Sequence, residues 1–128
     1  MKKFIFSLFL FFSTHAGANE KATVELARTA ISEGTPVIDV RQEACNGYVK
    51  GANLISIDEF VNAPDSAIAR VSALVGNDKS KKIIVYCRSG NRSRKVIAIL
   101  EKRGFTNLEN IGGVGDYFDP QTMQKCKS

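Results

Sequence analysis

Residues 82–104 read KIIVYCRSGNRSRKVIAILEKRG, a strand, a tight loop and a helix in one continuous segment. Ile83 to Tyr86 is a short apolar run, mostly β-branched, as in a strand buried on both faces. Val96, Ile97 and Leu100 mark one face of a helix that Gly104 closes. Between them lies Cys87-Arg88-Ser89-Gly90-Asn91-Arg92-Ser93. A strand that feeds directly into a helix is the opening half of a parallel crossover unit.

The flanking sequence repeats the alternation. Ala22 to Glu33 carries Val24, Ala27 and Ile31 at helical spacing, with Leu26 and Ala30 beside them, and Gly34 and Pro36 stop it. Val37 to Val40 reads as a strand, residues 41–52 as a polar loop with Gly47 and Gly51, and Asn53 to Ile57 as a second strand. Pro64 opens a helix through Ile68, Val71, Leu74 and Val75, which Gly76-Asn77-Asp78 ends. Leu108 to Ile111 is a last strand. The pattern predicts an α/β fold, a mostly parallel central sheet with helices on both faces.

The 128 residues suffice for one domain and are too few for two separate cores. With 44% hydrophobic and 24% charged residues the chain is neither disordered nor fibrous. The N-terminus reads as a secretory signal: Lys2 and Lys3, the apolar run Phe4 to Phe12, then Ala16-Gly17-Ala18 as a small-x-small cleavage site. Residues 1–18 are therefore expected to be cleaved, leaving 19–128 as a single domain in the periplasm; a retained membrane anchor is the alternative. The run is too short to span a bilayer, which needs about 20 residues. Cleavage removes His15, the sole histidine. Without it there is no Ser-His-Asp triad, Cys-His dyad, His-ligated zinc or His-ligated haem, and no metal or cofactor is expected. Losing Lys2 and Lys3 lowers the net charge from +5 to +3, too little to argue for nucleic acid or an anionic membrane as partner.

The chemistry concentrates at Cys87. It is expected just past the carboxyl end of its strand, where open α/β sheets bind ligands. The loop leads into a helix N-terminus, so free N–H groups and the positive end of the dipole face the sulfur. Gly90 lets the backbone curl until those N–H groups converge, as in an anion nest. Arg92, Arg94 and Lys95 crowd a helix start that favours acids, and Arg88 adds a further charge. An anion in the loop would compensate them, and the same charges would hold Cys87 as thiolate. Arg88, Ser89, Gly90, Asn91, Arg92 and Ser93 are thus the candidate substrate-binding residues around a catalytic Cys87. A buried, inert cysteine followed by a solvated basic helix face is the competing reading.

The order of motifs resembles the single-domain rhodaneses of the secreted bacterial kind. Strand-CRSGNRS-helix is similar to their active-site loop. Asp39-Val40-Arg41 followed by Gly47-Tyr48-Val49-Lys50-Gly51-Ala52-Asn53 resembles their Asp-Val-Arg and Gly-His-Ile-Pro-Gly-Ala-x stretch. Phe105, Asn107-Leu108 and Ile111-Gly112-Gly113 resemble the later strand and its Gly-Gly turn. Tyr48, Lys50, a shortened loop after Arg41 and the absence of Trp after Gly113 depart from the family pattern. The resemblance implies sulfurtransferase chemistry. A Cys87 persulfide would take sulfur from a small anionic donor such as thiosulfate and pass it to cyanide or to a thiol, a protein thiol included. Phosphatases and arsenate reductases share the fold, but resemblance gives them Arg six residues after Cys, where this chain has Ser93. Non-catalytic rhodanese-like binding modules typically lack the cysteine.

Asp39 and Arg41 read as a structural ion pair in preference to a direct role in the loop. Cys45 and Cys126 either pair in an oxidising compartment, leaving Cys87 free, or all three thiols stay reduced. No Cys-x-x-Cys is present, which argues against a thioredoxin-type oxidoreductase. The Asn91-Arg92-Ser93 sequon sits in a tight loop and is discounted, and Gly112, Gly113 and Gly115 lack the spacing of a nucleotide fingerprint.

Overall fold

A computed structural model describes residues 16–127. Most of the expected signal, residues 1–15, lies outside the described residues, and the first helix takes in Ala16-Gly17-Ala18. In chain order the elements are α1 (Ala16–Ser32), β1 (Val37–Asp39), a 3-10 turn (Ala44–Asn46), β2 (Tyr48–Val49), β3 (Asn53–Leu54), α2 (Ile57–Asn62), α3 (Pro64–Leu74), β4 (Ile83–Cys87), α4 (Asn91–Lys102), β5 (Leu108–Gly113) and β6 (Met123–Gln124).

Four strands form the central sheet in the order β3-β1-β4-β5, and each pairing is parallel. The two strands in the middle are the apolar ones, VID and IIVYC, because they must bury both faces. Alternate residues of β4 serve opposite cores. Ile83, Val85 and Cys87 pack with Val96 and Leu100 of α4, Phe60 of α2 and Ala67, Ile68 and Val71 of α3. Ile84 and Tyr86 pack with Val24, Ala27 and Ala30 of α1. The expected parallel sheet with helices on both faces is thus present. Among the described residues no helix is long and apolar enough to cross a membrane.

Two stretches differ from the sequence reading. The strand expected over Asn53–Ile57 ends at Leu54. Ser56 then caps α2, its Oγ accepting from the Asp58 N–H at 3.1 Å. Local capping overrides the apolar run, and Ile55 and Ile57 instead enter the core through bonds from their N–H groups to the Asp39 and Val40 carbonyls. The loop expected over residues 41–52 contains β2, which pairs antiparallel with β6 through Tyr48–Gln124 and Val49–Met123. That small sheet covers α1 and Tyr86 through Val49 and Met123. Its partner strand lies over 70 residues away in sequence, so no local pattern announces it.

Candidate active site

Cys87 is the last residue of β4, still paired to Gly113 of β5, one step earlier than the sequence reading put it. Gly90 caps α4 in the left-handed region with φ 99°, and its N–H turns back to donate to Cys87 Sγ at 3.0 Å. The Ser93 N–H donates to the same sulfur at 3.4 Å. The thiol is fully buried. The Ser93 hydroxyl is also buried and has no hydrogen-bond partner of ordinary geometry among the described residues, so its proton is free to turn to the sulfur.

Burial pushes the Cys87 thiol up. Against it act the Ser93 hydroxyl, then the N–H groups of Ser93, Ser89 and Gly90, and the balance leaves the thiol below its ordinary value. The cup is therefore built to hold a negative sulfur with backbone and hydroxyl donors, without a histidine.

Three supports hold the cup open. Asn110 of β5 donates through Nδ2 to the Gly90 carbonyl at 2.9 Å and accepts the Gly112 N–H on Oδ1 at 3.0 Å. The Val114 and Gly115 N–H groups donate to the Cys87 and Arg88 carbonyls, each at 3.0 Å. Gly113 permits this approach, since a Cβ there would lie 1.9 Å from the Arg88 carbonyl oxygen. The Gly-Gly turn, which the sequence offers only as a family resemblance, is thus the floor under the loop that follows Cys87.

The arginines at the rim are not idle. Arg92 reaches Glu43 through bonds of 2.7 and 2.9 Å and also donates to Gln42 Oε1. Arg88 grips Asp116 through both of its terminal nitrogens. The Arg92 hydrogen bond, followed by weaker influences, holds the Glu43 carboxyl down at about 2. From sequence these arginines are expected to need an anion in the loop; in the structure carboxylates from distant loops compensate them. Arg94 and Lys95 are exposed and form no ion pair among the described residues. Asn91 opens α4 at the surface, and Ser89 is exposed on the loop.

Asp39 and Arg41 form a buried bidentate pair, with Arg41 Nη2 to Asp39 Oδ2 at 2.6 Å and Arg41 Nε to Oδ1 at 3.0 Å. Arg41 Nη2 also donates to the Gly47 carbonyl at 2.5 Å. The pair fixes the loop from which Glu43 reaches Arg92, so it positions the rim from behind. The structure joins Cys45 to Cys126 as a disulfide with Cα atoms 4.6 Å apart, and leaves Cys87 as the free cysteine. A cavity of about 110 Å³ lies beside the rim, lined by Arg41, Glu43, Asn46, Arg88, Asp116 and Phe118 among others. Glu43, Asp116 and Asn110 had escaped the sequence reading, because each meets the loop only through the fold.

The sequence profile of the Rhodanese-like domain matches residues 23–117. The chain is 29% identical over 109 residues to thiosulfate sulfurtransferase 18 of Arabidopsis thaliana, covering 79% of each protein. It is 31% identical over 86 residues to the thiosulfate sulfurtransferase PspE of Escherichia coli, covering 66% of this chain and 75% of that one. A solved structure described as a rhodanese with anions from E. coli superposes with a TM-score of 0.54 at 29% identity, over 72% of this chain and 99% of the other. The chain also resembles the tRNA uridine(34) hydroxylase of Prochlorococcus marinus at 26% identity, but spans only 31% of that protein.

Proposed function

The chain belongs to the rhodanese-like domain family, and from that premise we propose that it is a thiosulfate-type sulfurtransferase working through a Cys87 persulfide. Family membership and the relatives support a sulfurtransferase-type enzyme. The observation that carries the finer reading is the Cys87 sulfur, buried in a cup of N–H donors with the buried Ser93 hydroxyl beside it. Such a cup favours the thiolate before reaction and a persulfide anion after it.

In the first half-reaction the Cys87 thiolate attacks the outer sulfur of thiosulfate. The S–S bond of the donor breaks and sulfite leaves with the electron pair. In the second, a thiophilic acceptor attacks the terminal sulfur of the persulfide and Cys87 departs as thiolate. With cyanide the product is thiocyanate; with a thiol it is that thiol's persulfide. No net redox agent is needed. Arg88 and Arg92 bind the anionic end of the donor by exchanging Asp116 and Glu43 for it. Phosphoryl chemistry on the same fold is disfavoured because Ser93 stands six residues after Cys87, where the resemblance gives the phosphatases an arginine.

Intact mass after exposure to thiosulfate tests the reading. One added sulfur atom on wild-type protein, lost in Cys87→Ser and released by cyanide, is expected. Absence of added sulfur, or phosphate-ester hydrolysis faster than sulfur transfer, would overturn it.

The same proposal places the enzyme in the periplasm after removal of residues 1–18. Exported protein should begin at Asn19 on N-terminal sequencing. A product that begins at Met1 in the membrane fraction refutes that placement.

A further inference from the structure

Two depressions of about 430 and 530 Å³ run together along the face between α1 and β5. They share Ala22, Leu26 and Ile111, and Leu26 is 55% exposed. One end of this groove meets Arg88, Ser89, Gly112 and Gly113, the flank of the cup around Cys87. Carboxylates border it: Glu20 near the cup, Glu25 and Glu33 along α1, and Glu109 on β5.

The bases that line the groove are already engaged. Lys82 pairs with Glu109 at 2.8 Å, and Arg88 pairs with Asp116. Glu20, Glu25 and Glu33 form no ion pair among the described residues. In a chain of net charge +5 this is a local reversal of sign. An apolar channel with an acidic border attracts cations and repels nucleic acid and anionic lipid.

We infer that this groove docks a cationic, apolar segment of a protein sulfur acceptor and delivers that segment's thiol to the Cys87 persulfide. The inference rests on the sulfurtransferase reading and names the acceptor class for it. Leu26 and Ile111 take the segment's apolar side chains, and Glu25 and Glu33 take its Lys or Arg. The acceptor thiolate attacks the terminal sulfur, the S–S bond to Cys87 breaks, and Cys87 leaves as thiolate. The acceptor departs as a persulfide and no electron is gained or lost overall.

The test compares two short peptides, each with one Cys, one alternating Lys and Leu and the other alternating Glu and Leu. Full-length protein is first loaded with thiosulfate. The Lys–Leu peptide should take the sulfur at least about tenfold faster than the Glu–Leu peptide at low salt, with the gap closing as salt rises. The variant Glu25→Lys/Leu26→Ser/Glu33→Lys should lose that preference and keep thiosulfate-to-cyanide turnover. The Lys–Leu peptide with Ser in place of Cys, followed by fluorescence anisotropy, reads groove binding even if Cys87 takes up no sulfur. Failure of loading would therefore strike the proposed function, while equal binding of both peptides would strike the groove. The inference is also overturned if the triple variant transfers to the Lys–Leu peptide normally, or if the groove proves to be covered by a second copy of the chain in sedimentation.

Discussion

At Cys87 the decisive chemistry is an imbalance between burial and hydrogen bonding. Burial alone would raise the thiol, yet the donors around it leave it low. An acid whose folded value is depressed gains stability from its charged form above the unfolded value and loses it as pH falls through the folded one. Cys87 should thus alkylate as a thiolate at pH values where an ordinary cysteine is protonated. Ser93→Ala removes the strongest lowering influence, so the midpoint of alkylation rate against pH should move upward. An unmoved midpoint would show that the backbone alone holds the thiolate. Glu43 behaves as a fixed counter-ion: with its carboxyl at about 2, its charged pairing with Arg92 survives until strongly acid pH. Asn110 is the third residue of consequence. Its two bonds tie Gly90 to Gly112, and each is worth about 0.5–1.5 kcal/mol. Asn110→Ala should slow sulfur loading several-fold and raise the Cys87 midpoint, with little change in acceptor KM. A normal alkylation profile in the folded variant would mean that the bonds serve the turn alone.

Among the elements, the segment from β4 to α4 was readable because its determinants are local. The apolar run makes a central strand, Gly90 makes the reversal, and Val96 and Leu100 make the helix face. The floor beneath it was not readable. Gly113 looks like any turn glycine until β5 is laid against β4, where its missing side chain admits the Arg88 carbonyl. Gly113→Ala should therefore cost more than a surface glycine, about 1–3 kcal/mol from overpacking, and should lower sulfur loading more than its loss in Tm accounts for. Loading that falls only in step with Tm would reduce Gly113 to a packing role. The Ser56 cap shows the same contest between scales. An apolar stretch resembling a strand becomes a helix entry once one hydroxyl satisfies a helix N–H.

For the molecule as a whole, the disulfide between Cys45 and Cys126 closes a separation of 81 residues and pins β6 against β2. Breaking it as Cys45→Ser/Cys126→Ser should lower stability by about 2–4 kcal/mol and speed hydrogen exchange first in the segment after Asp119. Unchanged stability would mean that β2 and β6 hold without it. The acidic groove and the compensated arginines are likewise properties of the assembled chain. Net charge from composition describes an average surface; the fold decides which carboxylates face the loop after Cys87.

The sequence by itself determined the α/β class, the parallel sheet and the position of Cys87 at the head of a helix. Periodicity, glycine placement and the helix dipole act within a dozen residues, so they are written in the local order of side chains. Only the tertiary structure decided that Arg88 and Arg92 rest against Asp116 and Glu43 and that Asn110 braces Gly90. It alone also turned residues 48–49 into a strand and paired two of the three cysteines. Those contacts join residues 20 to 81 positions apart. Such contacts arise from where the sheet order β3-β1-β4-β5 brings loop ends together, which no single stretch of the chain encodes.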